Sequence, residues 1–213
     1  MTKINDILTI VLPVKNEEKN LPGCLDNIRG FDNVILVDSG STDKTLEIFE
    51  EAKESHPKWL TLQFNWNGKF PKKRNWVLRT HEFSTPWVMF LDADERITPE
   101  WIEEAETKLQ AVDDKVGAWI CYYDNWFMGR MLKHGDVMHK TAILKIGAGE
   151  YEKIEENGWS ALDMEIHEHL QVKGVIGTIK AHLNSLRTSI NSPKRIWLKN
   201  REFNTIRQLD ATV

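Results

Sequence analysis

The sequence has few cysteines and no long apolar run. Its two cysteines, Cys24 and Cys121, form neither a CxxC pair nor a Cys/His metal pattern, so we expect two reduced thiols in a cytoplasmic protein. No apolar stretch approaches the roughly 20 residues of a membrane span, and the N-terminus lacks the charged and apolar regions of a signal peptide. The formal net charge of −4 argues against nucleic acid as a partner.

Short apolar strands alternate with amphipathic helices in the first half of the chain. The predicted strands cover residues 7–14, 34–37, 60–64 and 87–91. The predicted helices cover residues 21–28, 45–53, 72–81 and 99–109. Thr42 or Asp43 can cap the helix 45–53, and Thr98 can cap the helix 99–109, with Pro99 at its first position. This alternation is typical of a parallel sheet that helices cover on both faces.

The pattern changes after Val116. The segments WICYYDNWFM, AILKI, HLQV and GTIKAHL are strand-like, with few helices between them, which indicates a mixed or antiparallel addition to the sheet. We therefore predict one α/β domain over residues 1–190, with a Rossmann-like, mostly parallel sheet in residues 1–115 and the addition in residues 116–190.

Polar residues follow three of the predicted parallel strands, at 13–17 (PVKNE), 38–41 (DSGS) and 92–94 (DAD). Ligands of open α/β sheets bind beyond the carboxyl ends of the strands, so these segments should meet at one edge. Two carboxylates one residue apart repel each other unless a cation lies between them, and aspartate oxygens suit Mg²⁺ or Mn²⁺. The pattern predicts a metal and diphosphate site; the alternative is that Asp92 or Asp94 caps the next helix.

The ordered segments TIVLPVKNEEKNLPGCLDNI, VILVDSGSTDKTLEI, PKKRNW and VMFLDADERITPEW resemble the nucleotide-sugar glycosyltransferases of family two. The segments FMGRMLKHGDV and IHEHLQVKGVIGTIKAHL are similar to bacterial lipopolysaccharide-core β-1,4-glucosyltransferases. The resemblance implies a GT-A fold, a UDP-sugar donor such as UDP-glucose, and inversion at the anomeric carbon. It also implies a glycan or lipid-linked acceptor in cell-surface polysaccharide or lipopolysaccharide synthesis. The chain departs from it at MHKTAILKIGAGEYEK, where family members commonly carry an aromatic and arginine-rich strand.

The resemblance implies a donor site built from the polar strand ends. Asp38 would accept from the uracil N–H, and Asn16 and Glu17 would contact uracil and ribose, although Glu17 also suits the first turn of a helix. Cations in the segment 68–74 would meet the diphosphate, whereas Lys69 and Lys73 better suit a solvated helix face. The predicted donor residues are Pro13, Val14, Asn16, Glu17, Asp38, Ser39, Gly68, Lys72, Arg74, Asp92 and Ala93.

The resemblance also implies a metal and a base. Asp94 would bind Mn²⁺ or Mg²⁺ directly, and Asp92 would contact the ribose or the metal through water. His182 would supply a further metal ligand; a structural histidine is the alternative. Displacement at the anomeric carbon needs a carboxylate that takes the proton of the acceptor hydroxyl, while the metal stabilises the departing phosphate. The resemblance points to Glu168, and the alternatives in its loop are Asp163 and Glu165.

Two further features concern the acceptor and the C-terminus. Among nine tryptophans most belong to the core, but Trp126 and Trp159, with Arg130, suit an acceptor sugar because aromatic faces stack on sugars. Residues 191–213 predict a basic amphipathic helix, which suits an anionic membrane surface, its own domain or a second subunit of a homodimer.

Two other functions remain open at this point. A nucleotidyltransferase also uses an α/β sheet and metal carboxylates, but it normally needs a glycine-rich loop after the first strand, which LPVKNEEKNL lacks. The other is a non-catalytic module that binds nucleotide sugars.

Overall fold

A computed structural model describes residues 4–111, 113–134, 137–153 and 169–187. The predicted alternation of strands and helices in the first half is confirmed. The strands are β1 (Leu8–Val14), β2 (Val34–Asp38), β3 (Leu60–Gln63), β4 (Trp87–Phe90) and the short β5 (Glu95–Arg96). The helices are α1 (Ile4–Ile7), α2 (Leu21–Ile28), α3 (Thr45–Lys53), α4 (Lys73–Thr80) and α5 (Pro99–Gln110). No helix in the described ranges has the length and hydropathy of a membrane span.

The second half supplies the mixed addition that the sequence predicts. Its strands are β6 (Val116–Phe127), β7 (Arg130–Met131), β8 (Met138–Lys145), β9 (Gly149–Tyr151), β10 (Leu170–Val172) and β11 (Val175–Arg187). Strand β8 runs antiparallel to both β4 and β6, whereas β11 runs parallel to β6 and antiparallel to β5. Strands β9 and β10 form a separate antiparallel pair.

Within the described residues, nine strands form one sheet in the order β3-β2-β1-β4-β8-β6-β11-β5, with β7 paired to β6. Strand β1 is parallel to β2 and β4, and the register sets Val14 beside Asp38. The carboxyl ends of β1, β2 and β4 therefore lie together, as expected for the three polar segments. We call this side of the sheet the carboxyl edge.

The central strands β1, β2 and β4 are buried on both faces, which explains their almost continuous apolar runs. One apolar cluster contains Trp59 and Trp101 with residues of α2 and α5, and the other contains Phe64 and Val77 with residues of α4. Trp59, Trp87 and Trp101 are among the largest fully buried side chains, so these tryptophans are core residues as predicted.

Helices α3 and α5 both start at the predicted residues. Trp101 N donates to Thr98 Oγ1 at 3.2 Å, and Pro99 occupies the first turn of α5. Helix α3 begins at Thr45, and of the two predicted capping residues Asp43 is the one that accepts from its first amide, Thr45 N, at 3.0 Å, although Lys44 occupies the N-cap position. The Asp43 carboxylate also accepts from the amide of Glu18 at 3.2 Å, which connects the loops after β1 and β2.

An irregularity in β11 explains why Glu104 lies beside it. The pairing of β11 with β6 shifts register between Ile179 and His182 and skips the two residues in between. The amides of Lys180 and Ala181 donate instead to the Glu104 carboxylate, at 2.9 and 2.6 Å. Burial opposes the charged form of Glu104, but the Lys108 side chain and the two amides outweigh it and lower its pKa.

We expect Glu104→Ala to lower the free energy of unfolding by about 1–3 kcal/mol, because two strand amides lose their acceptor. The pKa of Glu104 is lower in the folded than in the unfolded state, so the stabilisation by its carboxylate is present above the unfolded-state pKa. It is lost as the pH falls through the folded-state pKa. Urea unfolding at neutral and acidic pH measures both effects, and Glu103→Ala, at an exposed position of the same helix, is the control. Equal losses in the two variants would contradict the assignment.

Candidate functional site

The loops after β1 and β2 are joined at the carboxyl edge. Ser39 N donates to the Val14 carbonyl at 3.1 Å. Asn16 N donates to Ser41 Oγ at 2.9 Å, and the Asn16 side-chain oxygen accepts from Thr42 N at 2.8 Å. Asn16 has φ 56, a left-handed conformation that asparagine adopts more readily than most residues. The two predicted donor segments therefore form one connected surface.

The buried carboxylate of Asp38 shapes the turn after β2. It accepts from the amides of Gly40 at 2.9 Å and Ser41 at 3.1 Å, and from Gln63 Nε2 at 2.9 Å. Burial opposes the charged form, but the hydrogen bonds from Ser41, Gln63 and Gly40 outweigh it and hold the pKa of Asp38 below its ordinary value. Asp38 thus has a structural role beside the predicted contact with uracil, which stays a prediction.

The side chains of Ser39 and Glu17 differ in the hydrogen bonds that they make within the protein. The Ser39 hydroxyl is buried and has no hydrogen-bond partner in the part of the chain that the structure describes, so it can accept a ligand contact. The Glu17 carboxylate accepts from Asn20 Nδ2 at 2.8 Å, and its amide donates to Thr45 Oγ1 at 2.8 Å. Helix α2 begins only at Leu21 and has no acidic residue in its first turn, so the alternative role of Glu17 in a first helical turn was wrong.

Residues 92–94, which we call the DAD turn, are held through their backbone. Arg96 Nη1 donates to the Ala93 carbonyl at 2.9 Å, and Arg96 Nη2 donates to the Asn20 carbonyl at 3.2 Å. On the other side, Leu186 N of β11 donates to the Asp94 carbonyl at 2.7 Å. The turn is thereby connected both to the start of α2 and to the end of β11.

Cations from two different elements converge on Asp92. Arg74 Nη2 of α4 lies 3.5 Å from Asp92 Oδ1, and Lys140 Nζ of β8 lies 3.4 Å from Asp92 Oδ2. Lys140 also contacts the buried Glu95 at 2.7 Å. The guanidinium of Arg74 lies 5.3 Å from the centre of the Tyr151 ring. The protein's own cations therefore offset part of the repulsion that the sequence predicts among these acids.

The pKa values of the half-buried Lys140 and the buried Glu95 are both raised. Burial raises the pKa of Glu95 to about 7, although the Lys140 ammonium works in the opposite direction. Burial disfavours the charge of Lys140, but the carboxylates of Asp92 and Glu95 outweigh it and raise the pKa of Lys140 above its ordinary value. Lys140 is therefore a cation at neutral pH. Neither residue was predicted, because in the sequence Glu95 only follows the DAD turn and Lys140 only interrupts an apolar strand.

The segment before α4 contains the other predicted cations. Lys72 is the N-cap of α4, Gly68 has φ 78 in the preceding loop, and Lys69 is exposed as expected. Lys73, in contrast, is buried, and its Nζ donates to the Val14 carbonyl at 3.2 Å. The solvated helix face predicted for Lys73 was wrong, because the first turn of α4 lies against the end of β1.

The structure does not bring His182 together with Asp92 and Asp94. His182 Nδ1 lies 2.7 Å from Asp124 Oδ1, and its ring stacks on Tyr122 with 5.7 Å between the ring centres. Within the described ranges, no group of three His, Cys, Asp or Glu side chains is placed to hold a metal. The predicted three-ligand set is thus not assembled, because Asp124 on the neighbouring strand takes the His182 side chain.

The described part of the predicted acceptor site lies on β6 and β7. Trp126 is half-buried and its Nε1 donates to Asn184 Oδ1 at 2.9 Å, while Arg130 is exposed. Alternate residues of a strand share a face, so Trp126 lies on the same face as Asp124 and Tyr122. The remaining predicted residues and the C-terminal helix lie outside the described residues: Trp159, Asp163, Glu165, Glu168 and 191–213.

Comparisons with known proteins place the chain in a family. Residues 9–170 match the model described as Glycosyl transferase family 2. The lipopolysaccharide core biosynthesis glycosyltransferase LpsC of Rhizobium meliloti is 23% identical over 167 residues, which are 78% of this chain and 57% of LpsC. Glycosyltransferase GlyA of Streptococcus pneumoniae is 27% identical over 158 residues, 72% of this chain and 21% of GlyA. The chain thus spans little more than half of LpsC and a fifth of GlyA.

The fold has a counterpart among solved structures. Residues 1–349 of S. aureus TarS superimpose with a TM-score of 0.56 at 17% sequence identity, covering 84% of this chain and 60% of that one. At this identity the likeness establishes the fold, a mostly parallel sheet with helices on both faces and a mixed addition. The chain therefore belongs to glycosyl transferase family 2 and has the GT-A fold.

Proposed function

We propose that the protein transfers a hexose from a UDP-sugar such as UDP-glucose to a glycan or lipid-linked acceptor, with inversion at the anomeric carbon, in the synthesis of cell-surface polysaccharide or lipopolysaccharide. The family match and the similarity to LpsC, a glycosyltransferase of lipopolysaccharide core biosynthesis, support this proposal. The observation that carries it is the carboxyl edge itself. There the DAD turn, the Asp38 turn and the cations Arg74 and Lys140 lie together, beyond the strand ends where α/β proteins bind their ligands.

Different parts of the UDP-sugar would contact different loops. The Asp38 turn and the buried Ser39 hydroxyl suit the polar edge of uracil, since both offer oxygen acceptors. Arg74, held near the rings of Phe90 and Tyr151, suits the diphosphate because a guanidinium binds phosphate oxygens in pairs. The ribose would lie between them, beside Asp92.

The carboxylate oxygens of the DAD turn are suitable ligands for a hard divalent cation. Asp92 and Asp94 offer oxygen ligands, and Mg²⁺ or Mn²⁺ is commonly bound by one or two carboxylates, substrate phosphates and water. Such an ion, when bound, stabilises negative charge on the departing diphosphate. By the resemblance, Asp94 would hold it directly, and Asp92 would contact the ribose or the metal through water.

The transfer step needs a base on the other side of the sugar. We assign this role to Glu168, whose carboxylate would take the proton of the acceptor hydroxyl while that oxygen bonds to the anomeric carbon. The bond between the anomeric carbon and UDP breaks in the same step, so the configuration inverts. The face of β6 that carries Tyr122, Asp124 and Trp126 offers aromatic and polar groups for the acceptor.

The activity is tested by incubating the protein with UDP-sugars and Mn²⁺ in the absence of an acceptor. Slow release of UDP, which reports hydrolysis of the donor, supports the transferase. Release of pyrophosphate from UTP would instead indicate a nucleotidyltransferase. If neither product forms while a nucleotide sugar still raises the melting temperature, the protein is a binding module.

We expect removal of divalent metal by EDTA to lower the affinity for UDP at least tenfold. The diphosphate and the carboxylates of the DAD turn carry like charges, and the metal is what offsets their repulsion. Uridine, which has no phosphate, should bind equally well with and without EDTA and serves as the control. Isothermal titration measures both ligands. An unchanged affinity for UDP in EDTA means that the metal assignment is wrong.

A further inference from the structure

Lys140 reaches the DAD turn from a strand that is distant in the sequence. Strand β8 pairs antiparallel with β4, with Met89 opposite Ile143. Strand β4 ends at Phe90, two residues before Asp92, while β8 extends beyond this pair to Lys140, whose Nζ lies 3.4 Å from Asp92 Oδ2. The contact is therefore set by the pairing of two central strands.

The surroundings of Lys140 hold its ammonium in place. Its Nζ lies 2.7 Å from Glu95 Oε1 and 5.2 Å from the centre of the Tyr123 ring. Glu95 is buried, and its other oxygen accepts from the amide of Asp92 at 3.1 Å. The ammonium is thus kept beside Asp92 by an acid that is bonded to the backbone of the DAD turn.

The charges at the DAD turn show what this ammonium contributes. Asp92, Asp94 and Glu95 place three carboxyl groups within four residues, and a nucleoside diphosphate would add further negative charge. Arg74 lies beside one carboxylate oxygen of Asp92 and Lys140 beside the other. Removal of one of them raises the repulsion that an incoming diphosphate meets, and a single divalent ion does not restore the charge balance.

We propose that Lys140 is a positioning residue of the donor site, which neutralises Asp92 and thereby allows a nucleoside diphosphate to bind beside the DAD turn. This inference rests on the proposed function, because it assumes that the carboxyl edge binds a nucleoside diphosphate. Lys140 acts through Asp92 and on the phosphates, so its effect depends on the charge of the ligand and is small for an uncharged nucleoside.

The test compares UDP with uridine in variants of strand β8, measured by isothermal titration in the presence of Mn²⁺. In Lys140→Met the affinity for UDP should fall about 10- to 100-fold, while the affinity for uridine stays within about twofold. Lys140→Arg, which keeps the charge, should restore most of the UDP affinity. Lys145→Met is the matched control, because Lys145 lies on the same strand and pairs with the exposed Asp114.

A second variant separates binding from folding. Lys140→Met alone leaves Glu95 buried without its cation, which can destabilise the protein. The double variant Lys140→Met/Glu95→Gln removes this problem, since glutamine is neutral and still accepts from the Asp92 amide. The double variant should melt close to the wild type and bind UDP more weakly than Glu95→Gln alone, which differs from it only in Lys140.

The outcomes are distinct. Equal UDP affinity in the double variant and in Glu95→Gln alone, or equal losses of UDP and uridine affinity, would overturn the role of Lys140 and leave the proposed function standing. If the wild-type protein binds neither UDP nor another nucleoside diphosphate, the proposed function fails and the inference with it. A selective loss of UDP affinity that Lys140→Arg reverses supports the inference.

Discussion

Glu168→Gln is expected to lower sugar transfer by about 10²- to 10⁴-fold, the contribution typical of a general base. Glutamine has nearly the same size as glutamate, but it does not accept a proton at neutral pH. The affinity for UDP should hardly change, because the proposed donor contacts lie at the carboxyl edge. Transfer rates and UDP titrations on the same preparation measure the two effects together.

Asp163→Asn and Glu165→Gln are the matched controls, since both acids lie in the same stretch of sequence as Glu168. Each should reduce transfer less than Glu168→Gln does. A reversed ranking, with Glu168→Gln active and one of the others inactive, places the base elsewhere in this stretch. Loss of UDP binding in Glu168→Gln indicates a structural role for the residue.

Asp94→Asn is expected to lower the metal-dependent affinity for UDP by about 10- to 100-fold or more, the range found even for residues that only support metal ligands. Asparagine keeps the size and one oxygen, and the Asp94 carbonyl that bonds to Leu186 N is unaffected, so the DAD turn should persist. Uridine should bind as in the wild type. Titrations with UDP and uridine, each at several Mn²⁺ concentrations, measure the loss.

Asp114→Asn is the control for Asp94→Asn, because Asp114 is fully exposed and pairs only at the surface with Lys145. It should leave both affinities unchanged. If Asp94→Asn reduces the affinities for uridine and UDP equally, Asp94 supports the whole site and is not the ligand of a metal beside the diphosphate.

The parallel half of the fold was predictable because its strands are buried on both faces and its helices carry clear boundaries. Helix α2 covers the predicted residues 21–28, and Thr98 caps α5 as expected. The same pattern predicts that the carboxyl ends of the strands meet, since parallel strands with helical connections end at one edge of the sheet. The family model covers residues 9–170, in agreement with the resemblance that the motifs of this half indicated.

The contacts of individual charged side chains were not predictable in the same way. Charged residues are mostly exposed, so the buried Lys73 and Glu95 go against the usual rule. Lys140 contacts Asp92, 48 positions away, only because β8 lies beside β4. The pairing of His182 with Asp124 likewise depends on the register of β11 with β6, which the sequence does not specify.

The backbone bonds of the DAD turn have a consequence for the thermodynamics of recognition. Arg96 and Leu186 contact carbonyl groups, so the geometry of residues 92–94 is fixed when the chain folds and is independent of a ligand. The loss of conformational entropy at this turn is then part of the folding free energy and does not reduce the affinity for a ligand. The turn is preorganised, and the free energy of its contacts with a ligand is available for binding.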